Sequence, residues 1–245
     1  MTRYKLTVEY DGTPFVGWQR QESGLSVQAA LEEALAKLTN APGPVIAAGR
    51  TDSGVHASGQ VVHLDLDRLL EPDRLLMALN FHLKPLPISV LQVSPQAPDF
   101  HARFSASARH YRYRLLNRPA PPALERNHVW WVPARLDLAA MQEAAALLAG
   151  HHDFSSFRAV ACQAKSPWRT LDRMEVTKVG EELHFGLQAR SFLHNQVRII
   201  VGTLRKVGDG SWTPGTVAQI LAARDRRLAG PTAPPQGLCL TQVDY

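Results

Sequence analysis

A chain of 245 residues with 45% apolar and 20% charged side chains can bury one large core or two small ones, and its composition is not that of a disordered protein. Its formal charge of +5 is unevenly built, with 21 arginines against 6 lysines. No run of about 18 apolar residues could span a membrane, and the opening MTRYKLTVEYDG lacks the apolar core of a secretory signal, so a cytoplasmic protein is expected.

RYKLTVEYDG, from Arg3, places Tyr4, Leu6, Val8 and Tyr10 on one face of a strand and Lys5, Thr7 and Glu9 on the other. LSVQAALEEALAKLT has helical spacing behind a Ser26 cap. GQVVHLDLD returns to period two, with Val62, Leu64 and Leu66 inward and His63, Asp65 and Asp67 outward. A helix over 72–83 and a strand, ISVLQV, complete this half.

The second half runs through the same order. HYRYRL is a strand with Tyr111 and Tyr113 on one face, and LDLAAMQEAAALLAG is a helix stopped by Gly150. MEVTKVGEELHFGLQ reads as a hairpin turning near Gly180, followed by a helix over 192–206 and a last strand, LCLTQV. The order β-α-β-β-α-β, met twice, predicts an α+β fold of two ferredoxin-like (split βαβ) halves, 1–104 and 105–245, forming a mostly antiparallel sheet with a central cleft. Such sheets leave one face for a ligand, as RNA-recognition modules of this topology do.

Between His101 and Ala123 there are five arginines, Arg103, Arg109, Arg112, Arg114 and Arg118, and no acid. A basic run is usually a solvated face, but Phe104, Tyr111 and Tyr113 interleave with this one, combining phosphate donors with stacking platforms. An RNA or DNA partner is the leading expectation. Cys162 and Cys239, with no CxxC spacing, support neither a disulfide framework nor a thiolate zinc site and read as buried small residues. His56 with His151, His152 and Asp153 fits no standard metal-ligand spacing.

GRTDSGVHA, residues 49–57, sets Asp52 between two glycines beside Arg50. Turn chemistry alone accounts for a lone DSG. An aspartic-protease pair would need a second matching carboxylate, and Ser53 with His56 lacks a nucleophile elbow. Arg198, within VRIIVG, is the one charge in an apolar helix, and a buried guanidinium needs a carboxylate. Asp52 is one candidate; snorkelling to the helix edge, or another acid, would serve as well.

Six stretches in order along the chain, YDGTPFVGWQRQ, GRTDSGVHASGQVVH, FHARFSASARHYRYRL, HDFSSFR, SFLHNQVRIIVGTL and GLCLTQVDY, resemble the tRNA pseudouridine synthases of the TruA type. The resemblance implies isomerisation of uridine to pseudouridine at positions 38, 39 and 40 of the tRNA anticodon arm, with no cofactor or metal, by a homodimer. It implies Asp52 as the catalytic carboxylate, Tyr111 as the ring against the target base, Arg198 as the partner of the carboxylate and Arg50 as a holder of the flipped-out nucleotide. Arg103, Arg109, Arg112 and Arg114 would then line the RNA path. The rival expectations are a non-catalytic RNA-binding protein with two RRM-like sheets and a retaining glycosidase, which would need a second carboxylate near Asp52.

Overall fold

The computed structural model describes residues 1–39 and 43–245. It is a mixed α+β structure in two compact units, Met1–Ser107 with Cys239–Tyr245, and Ala108–Leu238, whose strands pair mostly antiparallel. Among the described residues no helix is long and apolar enough to cross a membrane.

The first unit runs β1 (Thr2–Tyr10), α1 (Val27–Ala36), β2 (Ile46–Ala47), β3 (His56–Leu66), α2 (Pro72–Leu83) and β4 (Ile88–Gln96). β1 lies antiparallel between β3 and β4, and the short β2 adds to β3. Tyr4, Leu6, Val8 and Tyr10 are buried, as the alternation requires, against Leu31 and Leu35 of α1 and Leu75, Leu79 and Leu83 of α2 in the apolar core. The Ser26 hydroxyl accepts from the Ala29 N–H at the start of α1, and Pro72 opens α2 where no N–H is needed. Arg3 and Asp65, paired in register across β1 and β3, form a bidentate ion pair at 2.8 and 2.7 Å.

The second unit contains β5 (Ala108–Leu116), β6 (Trp130–Trp131), α3 (Leu138–Ala146), β7 (Gly150–Asp153), β8 (Trp168–Val179), β9 (Glu182–Ala189), α4 (Gln196–Gly208) and α5 (Pro214–Ala223). β5, β9, β8 and β7 pair in that order, all antiparallel, and β8 turns into β9 at Gly180, whose φ of 60° suits glycine. α3 packs on β8 and against α4. The strand that the sequence pattern places last, β10 (Leu238–Asp244), runs parallel to β3 in the first unit, with Cys239 opposite His56.

Two expectations need correction. His63, assigned to the outward face of its strand, is buried to 2% exposure. Phe100 and His101 cover it, and its Nδ1 accepts the Ala102 N–H at 3.1 Å. Cys162 and Cys239 are half-exposed rather than enclosed, because one lies in an irregular loop and the other is the second residue of the last strand, on its less buried face.

Candidate active site

In the first unit, residues 52–55 form a tight turn. The Val55 N–H donates to the Asp52 carbonyl at 3.1 Å, and Gly54, with a φ of 74°, occupies the position that needs a left-handed residue. The turn chemistry read from DSG is therefore real. What exceeds a turn is the way the surrounding loop is held.

The segment from Gly12 to Trp18 lies directly behind it. The Trp18 N–H donates to the Thr51 carbonyl at 3.0 Å, the Gly54 N–H reaches the Phe15 carbonyl at 3.4 Å and Ser53 Oγ donates to that same carbonyl at 3.3 Å. A Cβ on Gly12 would stand 2.1 Å from the Val55 carbonyl oxygen, and one on Gly17, whose φ is 109°, would stand 2.9 Å from the Thr51 carbonyl oxygen. So YDGTPFVGWQ and GRTDSGV, forty residues apart in sequence, form one physical unit that only glycine at both contacts permits.

Buried polar groups fix the other side of the loop. The Tyr10 hydroxyl and Thr51 Oγ1 lie 2.8 Å apart, both buried, and Gln60 Nε2 donates to the Gly49 carbonyl at 2.7 Å. Burial pushes the Tyr10 hydroxyl up from its ordinary value, against a smaller opposing effect of its hydrogen bonds to Thr51 and Gln60, so it stays protonated. Neutral hydrogen bonds of this kind each contribute about 1 kcal/mol, and leaving one unmade in the interior costs more. Asp52 is thus held half-buried, beside an exposed Arg50, at the tip of a stiff loop. His56, which follows, accepts the Gly12 N–H on Nδ1 at 2.9 Å and tethers the same two segments again.

In the second unit, β5 carries Arg109, Tyr111, Arg112 and Arg114, and α4 carries Arg198. The two tyrosines of β5 have different fates. Tyr113 is fully buried and donates to the Pro234 carbonyl at 2.8 Å, whereas Tyr111 is half-buried with its ring edge-on to Phe192 at 5.1 Å. Arg198 Nε donates to the Ala233 carbonyl at 2.8 Å and Nη1 to Asn195 Oδ1 at 3.0 Å. The Pro-rich loop around 231–234 therefore ties the Tyr111 strand to the Arg198 helix. Nothing periodic in the sequence marks either this loop or Phe192 as part of a site.

The basic run divides by burial. Arg103 and Arg112 are exposed. Arg109 is buried, its Nη1 donating to the Arg190 carbonyl at 2.6 Å. Arg114 makes a bidentate pair with Glu182, at 2.8 and 2.7 Å, and reaches Glu125 at 2.9 Å; these partners raise its pKa and hold the Glu182 carboxyl below the usual range. His151, His152 and Asp153 are engaged in local contacts: His151 with Thr170 Oγ1 at 3.0 Å, His152 with the Ala149 carbonyl at 2.8 Å, and Asp153 with the Ser155 N–H at 2.9 Å.

The family model described as tRNA pseudouridine synthase matches residues 6–105 and 144–245. The chain is 58% identical over its whole length to proteins named tRNA pseudouridine synthase A from Paramagnetospirillum magneticum and Rhodospirillum centenum, covering 96% and 100% of those proteins. It is 57% identical to the one from Methylobacterium nodulans, again over all of this chain and 96% of that protein. The non-catalytic RNA-binding reading gains no support from these matches. By the family match and by these full-length relatives, the chain belongs to the tRNA pseudouridine synthase family.

Proposed function

We propose that this protein isomerises uridine to pseudouridine in tRNA, at positions 38, 39 and 40 of the anticodon arm, with Asp52 supplying the reacting carboxylate. The observation that carries the proposal is the loop around Asp52, where one half-buried carboxylate is set on a turn braced by three hydrogen bonds from the neighbouring segment and by a buried Tyr10–Thr51 pair. Such rigidity is what a nucleophile or base needs in order to meet one atom of a bound nucleotide.

The reaction breaks the C1′–N1 bond, turns the uracil and joins C1′ to C5, so C5 loses a proton and N1 gains one. Substrate and product are isomers, and no oxidant, reductant or group donor is consumed. The target base must first leave its stack, at a cost of a few kcal/mol, and the site must exclude water while the base is detached. In this reading Tyr111, oriented by Phe192, packs against the turned-out base, Arg198 serves as the cationic partner of the reacting carboxylate, and Arg50 holds the flipped nucleotide. The exposed Arg103 and Arg112 meet phosphates directly. Arg109 and Arg114, already bonded within the protein, support the RNA path by fixing β5. The enzyme acts in the cytoplasm as a homodimer around its tRNA, with no metal or cofactor.

Treating an unmodified tRNA transcript with the protein and mapping pseudouridine by chemical adducts and primer extension tests this proposal. Wild type is expected to give stops at positions 38 to 40 and Asp52→Ala none. Modification elsewhere in the tRNA, or equal modification by the variant, would contradict it.

A further inference from the structure

The three aromatic residues of the acid-free run behave differently. Tyr113 is enclosed and Tyr111 leans on Phe192, but Phe104 leaves 69% of its surface exposed. That exposure is not the looseness of a surface side chain. The Phe104 ring lies 4.4 Å from His101 at an interplanar angle of 32°, and His101 in turn lies 4.7 Å from the buried His63. His101 Nδ1 accepts the backbone N–H groups of both Arg103 and Phe104, at 3.1 and 3.3 Å, which fixes the turn that presents them. Phe104 is the outer rung of a ring ladder anchored in the core, and the Arg103 guanidinium carbon sits 5.6 Å from its centroid.

We infer that Phe104, with Arg103 beside it, is a stacking site for an unpaired base of the RNA at a distance from the nucleotide that reacts; the inference rests on the chain acting on tRNA. An exposed, pre-oriented ring next to a planar cation supplies what a base and its phosphate need, at little cost in side-chain ordering. The ladder rises from His63, seven positions along β3 from His56, which follows the Asp52 loop. At about 3.3 Å per residue that separates the two by roughly 23 Å along the strand, so the stacked base is not the reacting uridine. Charge favours RNA over a second copy of this chain, because a two-fold contact here would bring two acid-free, arginine-rich runs together.

The test is filter binding of an unmodified tRNA transcript to the full-length protein and to Phe104→Ala, Phe104→Leu and Phe104→Trp, with oligomeric state and thermal midpoint recorded for each. The Ala and Leu variants, folded and with the wild-type oligomeric state, are expected to bind roughly tenfold more weakly, and the Trp variant to bind as wild type does. Wild-type affinity in Phe104→Leu would overturn the inference, since an apolar side chain without a ring would then suffice. A changed oligomeric state in the Ala and Leu variants would overturn it in favour of a protein contact. If wild type binds tRNA but forms no pseudouridine, the proposed function fails, and the same binding comparison still decides the role of Phe104.

Discussion

His63 stands on β3 where simple alternation would put a polar residue, yet it is buried. Burial lowers its pKa from 6.5 to about 4, the nearby charges of Arg3 and His101 act in the same direction, and Asp65 opposes them. Between those two values the unfolded chain holds a proton that the folded one refuses, so this group's contribution to stability falls as pH drops from 6.5 towards 4 and is constant outside that window. Denaturant titrations across the window should show that decline, and His63→Asn, which keeps an acceptor for the Ala102 N–H, should flatten it. A residue's environment was the least legible thing in the sequence. HLDLD alternates cleanly, and nothing in it shows that the distant FHARF turn folds over His63. For the same reason Tyr111 and Tyr113, neighbours on one face in any period-two reading, could not be told apart until Pro234 and Phe192 were seen beside them.

At the level of elements, α4 shows how closely the second unit is assembled. A Cβ on Gly202 would fall 1.8 Å from the Pro231 carbonyl oxygen, and one on Gly230 would fall 2.7 Å from Thr203, so helix and loop touch backbone to backbone. Alanine is the better helix former by about 1 kcal/mol, and an isolated helix would gain from Gly202→Ala. Here the substitution is expected to lower unfolding free energy by at least about 2 kcal/mol, because the loop that bonds Arg198 and Tyr113 must move away. Urea denaturation checks the sign, and a stabilised variant would contradict the packing. Long periodic elements such as β1, the β8–β9 hairpin and α4 were legible because each repeats its pattern over several positions. β2 and β6, two residues each, carry no period at all, and α5 buries only Val217 and Ile220, too few points to define a face. The GRTDSG turn was legible as a turn from its glycine, but its bracing by residues 12–18 was not, since a contact between two loops leaves no periodic trace.

Across the whole molecule, charge is the property the sequence displays most plainly and resolves least. The five arginines from 103 to 118 look alike in a string, whereas in the fold Arg112 is exposed and Arg114 is committed to Glu182 and Glu125. Arg112→Ala should weaken tRNA binding and reduce the slope of log affinity against log salt by about 1, as expected for one lost phosphate contact. Arg114→Ala should leave that slope near the wild-type value and act mainly by lowering the thermal midpoint, since it takes the bidentate partner from Glu182 and leaves that carboxylate only His184, at 2.8 Å. Equal salt slopes for wild type and Arg112→Ala would remove Arg112 from the RNA path. The family was legible because six ordered motifs span nearly the whole chain, and the full-length relatives agree with it. In the proposed function Asp52 drives a rearrangement at C5 of uridine, and release of tritium from tRNA labelled at that carbon reads it directly. Wild type is expected to release tritium to water, and Asp52→Ala to release none while still binding tRNA. Tight binding by wild type with no release from any tRNA, or release undiminished in the variant, would contradict it.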